Sequence, residues 1–179
     1  MRSELEPTAV TWAVLGLLAR RPMSGYDLKT AIDRTIRHFW AASYGQIYPE
    51  LRRLEERGWI SGADAARGGR SRRVYRSTAA GRTALAGWLH GEETRVELRD
   101  ESLLRLFFAD QLPPDEGLGL LRARRDGYRA MLAYLQSLDD GSGVPDPPYV
   151  DLVYRWALEY CEWGIEWCER QDRRLRRAR

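Results

Sequence analysis

Apolar residues recur along this chain with two periods, and the switch between them marks its first landmark. Over residues 8–20, Val10, Val14, Leu17 and Leu18 return at helical spacing and predict a mostly buried helix, with Pro7 in its first turn and Arg20-Arg21-Pro22 ending it. Ser24 is a natural N-cap for a second helix, because the Asp27 carboxylate three residues on answers both the free amides and the positive helix end. That helix is predicted to run to about residue 38, with Leu28, Ile32, Thr35 and Ile36 inward, and Gly25 permits a close approach at its start. In a third helix Ile47, Leu51 and Leu54 share one stripe, Tyr48 and Arg52 stand beside it, and Gln46 and Arg53 point farther away. Pro49 sets where this helix begins. Deep inside a helix proline clashes with the carbonyl four residues back, so the helix starts near Gly45 or Gln46, and Gly58 is its C-cap.

The period then drops to two. One strand is expected over residues 59–63, a loop over 66–70 around Gly68-Gly69, and a return strand over 72–77. Alternation sends Arg73 and Tyr75 to one side of the return strand and Arg72, Val74 and Arg76 to the other. Thr78 caps a fourth helix to about residue 90, carrying Leu85, Trp88 and Leu89.

A charged stretch from residue 91 reads as a linker. Beyond it a helix over 101–110 is apolar nearly all round and is broken by Pro113-Pro114. A long helix over 115–138 has Leu118, Leu121, Tyr128, Leu132 and Leu135 as inward positions in steps of three and four, interrupted by Arg125. Residues 139–148 are a Gly- and Pro-rich loop. In the last helix, over 149–176, Tyr149, Val153, Trp156, Tyr160, Trp163 and Trp167 repeat in an unbroken 4-3-4-3-4 spacing that makes a seam. The fold expected is mainly α, in two domains, 1–90 and 91–179.

Charge sharpens that division. Residues 1–90 hold 15 Lys+Arg against 8 Asp+Glu, a net of +7, while residues 91–179 hold 14 against 18, a net of −4. The basic half is the candidate polyanion face. Lys29 is the only lysine among the 29 cations; the arginine bias fits genome composition as well as bidentate recognition of phosphate or guanine. Cys161 and Cys168 make no disulfide framework: on one helix their backbones stand about 10 Å apart, beyond the usual reach of about 7 Å. No leader or membrane span is expected, so the chain reads as a soluble protein of the reducing cytoplasm.

Three helices followed by a basic hairpin is the order of a winged helix-turn-helix, whose third helix enters the major groove while the hairpin lies along the flanking backbone. The segments Ala13-Val-Leu-Gly-Leu-Leu, Ser24-Gly-Tyr-Asp-Leu, Gly45-Gln-Ile-Tyr-Pro-Glu-Leu-Arg-Arg-Leu-Glu, Gly58-Trp-Ile and Arg73-Val-Tyr-Arg-Ser-Thr-Ala-Ala-Gly-Arg together resemble PadR-like transcriptional regulators over residues 8–90. From residue 91 onward, length and helix pattern resemble the longer subgroup, whose C-terminal helical domain dimerises. The resemblance implies that Ser43, Gln46, Tyr48 and Arg52 lie at the DNA-facing start of the recognition helix. It places Arg70, Arg72 and Arg73 in the wing and gives Tyr26 the position of a tyrosine that reaches phosphate. The chemistry agrees: glutamine pairs bidentately with adenine and arginine with guanine, whereas tyrosine hydroxyls and wing arginines mostly fix register on phosphates.

These residues also have plainer readings. The plainer alternative for Tyr26 and Tyr48 is a core tyrosine with a wetted hydroxyl, and for Arg52 and Arg53 a solvated face paired with Glu55 and Glu56. The aromatic seam is read as packing, within the subunit and against a second copy; the alternative is a site for a flat aromatic effector walled by Trp156, Tyr160, Trp163 or Trp88. The two cysteines are read as small buried residues, with redox-sensing thiols as the alternative. His38 and His90, the only histidines, sit in no nucleophile, metal or phosphate-loop pattern, so no catalytic, metal or cofactor site is expected. What is expected is a homodimeric repressor on an inverted-repeat operator in double-stranded DNA, released by a small aromatic effector. The alternative is a winged-helix adaptor that binds protein.

Overall fold

In a computed structural model of the chain, residues 6–36, 44–67, 70–91, 99–138 and 147–177 are described, the side chains of 44, 65–67, 70 and 71 excepted. The chain separates into two compact units, Met1–Arg95 and Val96–Arg179. The first contains helix α1 (Ala9–Arg20), strand β1 (Met23–Ser24), helix α2 (Gly25–Thr35), a 3-10 turn (Tyr44–Gln46) leading into helix α3 (Ile47–Glu56), strands β2 (Ile60–Arg67) and β3 (Arg70–Ser77), and helix α4 (Ala79–Leu89). The strands form one antiparallel sheet in the order β1-β3-β2.

The helix starts follow local chemistry. Thr8 caps α1, Ser24 caps α2 in a reciprocal capping box with Asp27, and Thr78 caps α4. Because Thr8 is the cap, Pro7 precedes the helix rather than occupying its first turn. α2 ends at Thr35, three residues short of the expected end; residues 37–43, including Ser43, lie outside the described residues. Pro49 falls in the first turn of α3, and Gly58, at φ 68°, takes the left-handed conformation that ends it.

The core of this unit joins α1, α2, α3 and the base of the hairpin: Val14, Leu15, Leu28 and Leu54 are fully buried, with Ile32, Ile47, Leu51 and Ile60 nearly so. Each such side chain contributes about 1.5–3 kcal/mol of transfer free energy. One buried carboxylate belongs to this packing. Glu50 is nearly inaccessible, accepts a hydrogen bond from the Thr11 hydroxyl at 2.6 Å, and pairs with Arg53 at 3.2 Å. It thereby fastens α3 to α1 with its charge compensated. Trp12 stacks between Trp59 and Trp88, at 5.8 and 5.3 Å. Trp88, read as an effector wall, is thus a stacking partner within its own unit.

The hairpin strands are longer than expected and take in Ala66, Arg67 and Arg70, so the loop shrinks toward Gly68-Gly69, which lie outside the described residues. The two-residue β1, which no periodicity announces, pairs Met23 with Tyr75 and Ser24 with Val74.

The second unit contains helix α5 (Glu101–Phe107), a 3-10 turn (Ala109–Gln111), helix α6 (Pro114–Ser137) and helix α7 (Pro148–Arg177). α5 stops short of residue 110, and Pro114 opens α6 rather than merely breaking the helix before it. Of the predicted inward positions of α6, Leu118, Leu121 and Leu135 are buried, while Tyr128 and Leu132 are half-buried. The stripe of α7 that is buried is made of small residues, Ala157, Cys161, Gly164 and Cys168. Gly164 lets the Tyr128 ring lie directly on the α7 backbone, where a Cβ would stand 2.6 Å from it. Of the aromatic seam, Tyr160 meets Tyr128 of α6 edge-on at 5.7 Å and Trp167 is half-buried, while the close helix approach falls to the small-residue stripe one position round the helix, because large rings hold two helix axes apart.

Candidate nucleic-acid interface

The surface that gathers most of the predicted DNA-binding residues lies where the starts of α2 and α3 meet the root of the hairpin. Tyr48, in the first turn of α3, is 58 % exposed, yet its ring lies against Gly25: a Cβ there would stand 2.6 Å from Cε1 and 3.2 Å from the hydroxyl oxygen. The close approach anticipated at Gly25 is thus made by a side chain of the third helix. Tyr26, the next residue, is 68 % exposed. Neither tyrosine is a core residue. Arg52, one helical turn after Tyr48, is exposed and has no ion-pair partner among the described residues. Gln46 is exposed and its side chain makes no capping bond, so α3, unlike α1, α2 and α4, starts without a side-chain cap.

The hairpin joins this surface through its arginines. β3 is the central strand, and its alternation sends Arg72 toward α2 and Arg73 toward α3. The Arg72 guanidinium donates to Ser24 Oγ at 2.5 Å and pairs with Asp27 Oδ1 at 2.5 Å. β1 makes this possible, because its pairing sets Ser24 opposite Val74, which shares a strand face with Arg72. Arg73 donates to Glu55 Oε1 at 2.6 Å, lies 3.9 Å from Asp64, and covers the Tyr75 ring at 5.8 Å. Partial burial pushes the Asp27 carboxyl up, but hydrogen bonds from the Ser24 amide and from Arg72 outweigh it and hold the group below its ordinary value. The Glu55 hydrogen bond raises the Arg73 pKa.

Arg72 and Arg73 are thus anchored at the root of the wing. Each stays about 40–45 % exposed and uses only part of its five N–H donors. The Arg70 side chain lies outside the described residues. Arg53 pairs with Glu50 rather than with a residue farther along α3. Reading the sequence missed Glu55 and Asp27 as partners of the wing, although strand alternation carried half of the signal by sending adjacent arginines in opposite directions.

In the second unit the seam residues form a ladder of rings. Trp156 stacks on Tyr160 at 5.5 Å, Tyr160 on Trp163 at 6.2 Å, and Trp163 on Trp167 at 6.4 Å. Tyr149 is 80 % exposed, Trp156 and Trp163 are half exposed, Val153 and Tyr160 somewhat less, and Trp167 is half-buried. A polar chain runs beneath the ladder: Arg124 pairs with Asp100 at 2.7 Å, bonds Ser102, and donates to the Tyr128 hydroxyl at 2.5 Å, which lies 3.4 Å from the Tyr160 hydroxyl. Burial and the Tyr160 contact push the Tyr128 pKa up. Both cysteines are buried and free, and burial raises their thiol pKa values, so neither carries the lowered pKa of a reactive thiolate. Among the described residues no group of three or more His, Cys, Asp or Glu is placed to hold a metal ion, and no helix is long and apolar enough to cross a membrane.

Three helices, the third with exposed Gln46, Tyr48 and Arg52 at its start, beside a basic hairpin anchored at its root, define the winged helix-turn-helix class of DNA-binding proteins. The profile of the "Transcriptional regulator PadR-like family" matches residues 14–87, and that of "Virulence activator alpha C-term" matches residues 98–176. The chain is 32 % identical to the negative transcriptional regulator PadR of Bacillus subtilis over 127 residues, 70 % of either chain. It belongs to the PadR-like family of transcriptional regulators, which are DNA-binding proteins and not enzymes. Bacillus subtilis PadR in complex with operator DNA has the same fold at 28 % identity, with a TM-score of 0.83 over 94 % of this chain and 99 % of that one. The same regulator in complex with p-coumaric acid gives a TM-score of 0.76 over the same shares.

Proposed function

We propose that the chain is a homodimeric repressor whose two winged-helix heads, residues 1–90, read an inverted-repeat operator, held in register by the helical domain of residues 91–179. The observation that carries this reading is the surface around the start of α2, where the Tyr48 ring lies against Gly25 and Arg72 bonds Ser24, with exposed Tyr26 following Gly25 and exposed Gln46 and Arg52 on the third-helix segment. Gln46 and Arg52 are the base readers; Ser43, which the family resemblance assigns to the DNA-facing start, lies outside the described residues; Tyr26, Tyr48, Arg70, Arg72 and Arg73 fix the register on phosphates. Repression rests on the negative regulation named for the Bacillus subtilis relative. Dimerisation rests on the exposed ladder of Tyr149, Val153, Trp156, Tyr160 and Trp163 with Trp167, an apolar face that a second copy covers by two-fold symmetry. A small aromatic effector that releases DNA is supported by the relative bound to p-coumaric acid. The place of action is the cytoplasm, where the operator is.

Selection of sheared genomic DNA by the full chain tests this reading, followed by a salt titration on the recovered duplex. One sequence class is expected to be enriched, with a log-log salt slope on the order of −5 to −7 if each head neutralises three or four phosphates. Failure to enrich any sequence would point instead to a protein-binding adaptor.

A further inference from the structure

Adjacent arginines on β3 meet carboxylates from different helices of the reading head, and Glu55 is the more informative of the two. It sits in the last turn of α3, 32 % exposed, and its Oε1 takes two hydrogen bonds from the hairpin: from Arg73 at 2.6 Å and from the Gly62 amide at 3.0 Å. Gly62 belongs to β2, an edge strand, so the reading helix satisfies an amide of the wing. The pair fits only because residue 62 is glycine. A Cβ there would stand 2.6 Å from Arg73 Nε and 2.9 Å from Glu55 Oε1.

We infer that Glu55 is a positioning residue for DNA recognition, setting the angle between the reading helix and the wing through Arg73 and the Gly62 amide. The inference rests on the DNA-binding surface proposed above. Beyond its two pairings with β1, the wing is a ribbon of two strands, and such ribbons twist readily unless something holds them. A helix in the major groove and a wing on the flanking backbone engage one duplex together only at a fixed relative angle. Electrostatics makes the role testable by sign. A carboxylate with no positioning role merely repels phosphate, so its removal would tighten binding to every duplex. A strut gives the opposite sign on the specific site.

The experiment uses the full-length chain with two probes, the duplex that it recovers from sheared genomic DNA and a random-sequence duplex of equal length. Glu55→Gln keeps an acceptor for the Gly62 amide but removes the charge pair. It is expected to weaken binding to the recovered duplex about tenfold while binding to the random duplex holds or tightens. Gly62→Ala changes no charge and displaces only the mobile ends of two side chains. It is expected to reduce the preference by a similar factor with the salt slope unchanged, and the double variant should be no worse than either single one. Equal tightening on both probes by Glu55→Gln, or wild-type preference in Gly62→Ala, would overturn the inference. Should Glu55→Gln fail to show wild-type thermal melting, Gly62→Ala decides alone. A wild-type chain that prefers no duplex refutes the DNA reading itself, an outcome distinct from failure of the strut.

Discussion

The two units of this chain differ in where their largest rings lie: both bury leucines, Leu118, Leu121 and Leu135 in the second, but the second also displays a row of aromatic side chains. In the reading head the biggest aliphatic residues of three helices, Leu15, Leu28 and Leu54, are fully buried, and what lies exposed at the site is polar or phenolic: Gln46, Arg52, Tyr26 and Tyr48. In the helical unit Phe107 is 77 % exposed, Phe108 56 %, Trp156 52 % and Trp163 51 %, while the close packing falls to Ala157, Cys161 and Gly164. A unit that joins its core across three helices and a hairpin and a helix pair that displays its rings differ in what they need. The second is built like half of an interface, which fits the proposed dimer.

The largest expected effect lies in that displayed face. Trp156→Ala with Trp163→Ala should weaken self-association by about 4 kcal/mol or more, the cost of losing two aromatic anchors, with helix content kept. Sedimentation equilibrium reads the outcome, and a variant that stays dimeric at the same concentration places the interface elsewhere. Next in size is a matched pair of truncations. Leu54→Ala, at a fully buried site, should lower unfolding stability by about 2–5 kcal/mol, whereas Phe107→Ala, at a larger but exposed side chain, should change that of an isolated monomer by no more than about 0.5 kcal/mol. Urea denaturation compares them; equal losses would erase the contrast between the units.

A smaller effect is set by acid. Asp27 in the head and Asp100 in the helical unit both have folded-state pKa values below the ordinary one: burial opposes this, but hydrogen bonds outweigh it, from the Ser24 amide and Arg72 in one case and from Ser102 and Arg124 in the other. Because the folded value is the depressed one, their stabilisation is complete above the unfolded-state value of about 3.9 and is lost as pH falls through the folded value. Denaturation midpoints should therefore fall below about pH 4, and Asp27→Asn should blunt that fall. An unchanged acid profile in Asp27→Asn would show that the Arg72 pair adds nothing to stability.

What was legible in the sequence was local. Ser24 with Asp27, Pro49 and Gly58 fix helix ends through contacts within four residues, and each acts as its chemistry predicts. What was hidden depends on distant partners. β1 exists only because β3 pairs with it, and Arg72 finds Ser24 across 48 residues of chain. Two features were readable and passed over. Glu50 stands three residues after Ile47 and four before Leu54, hence on the inward stripe, where a carboxylate requires a partner; Thr11 and Arg53 supply it. In the last helix two stripes with 4-3-4 spacing run side by side. The bulky one attracts attention, but helices approach closely over the small one, and Ala157, Cys161, Gly164 and Cys168 are where α7 is buried.

Hydroxyl-radical footprinting of the recovered duplex, at a protein concentration where sedimentation shows a dimer, asks whether two heads sit on one operator. Two protected half-sites related by a dyad, with centres about 34 Å apart or a multiple of that turn, are the predicted result. A single unpaired footprint, or uniform protection without sequence preference, would contradict the account of two reading heads held in register by the helical unit.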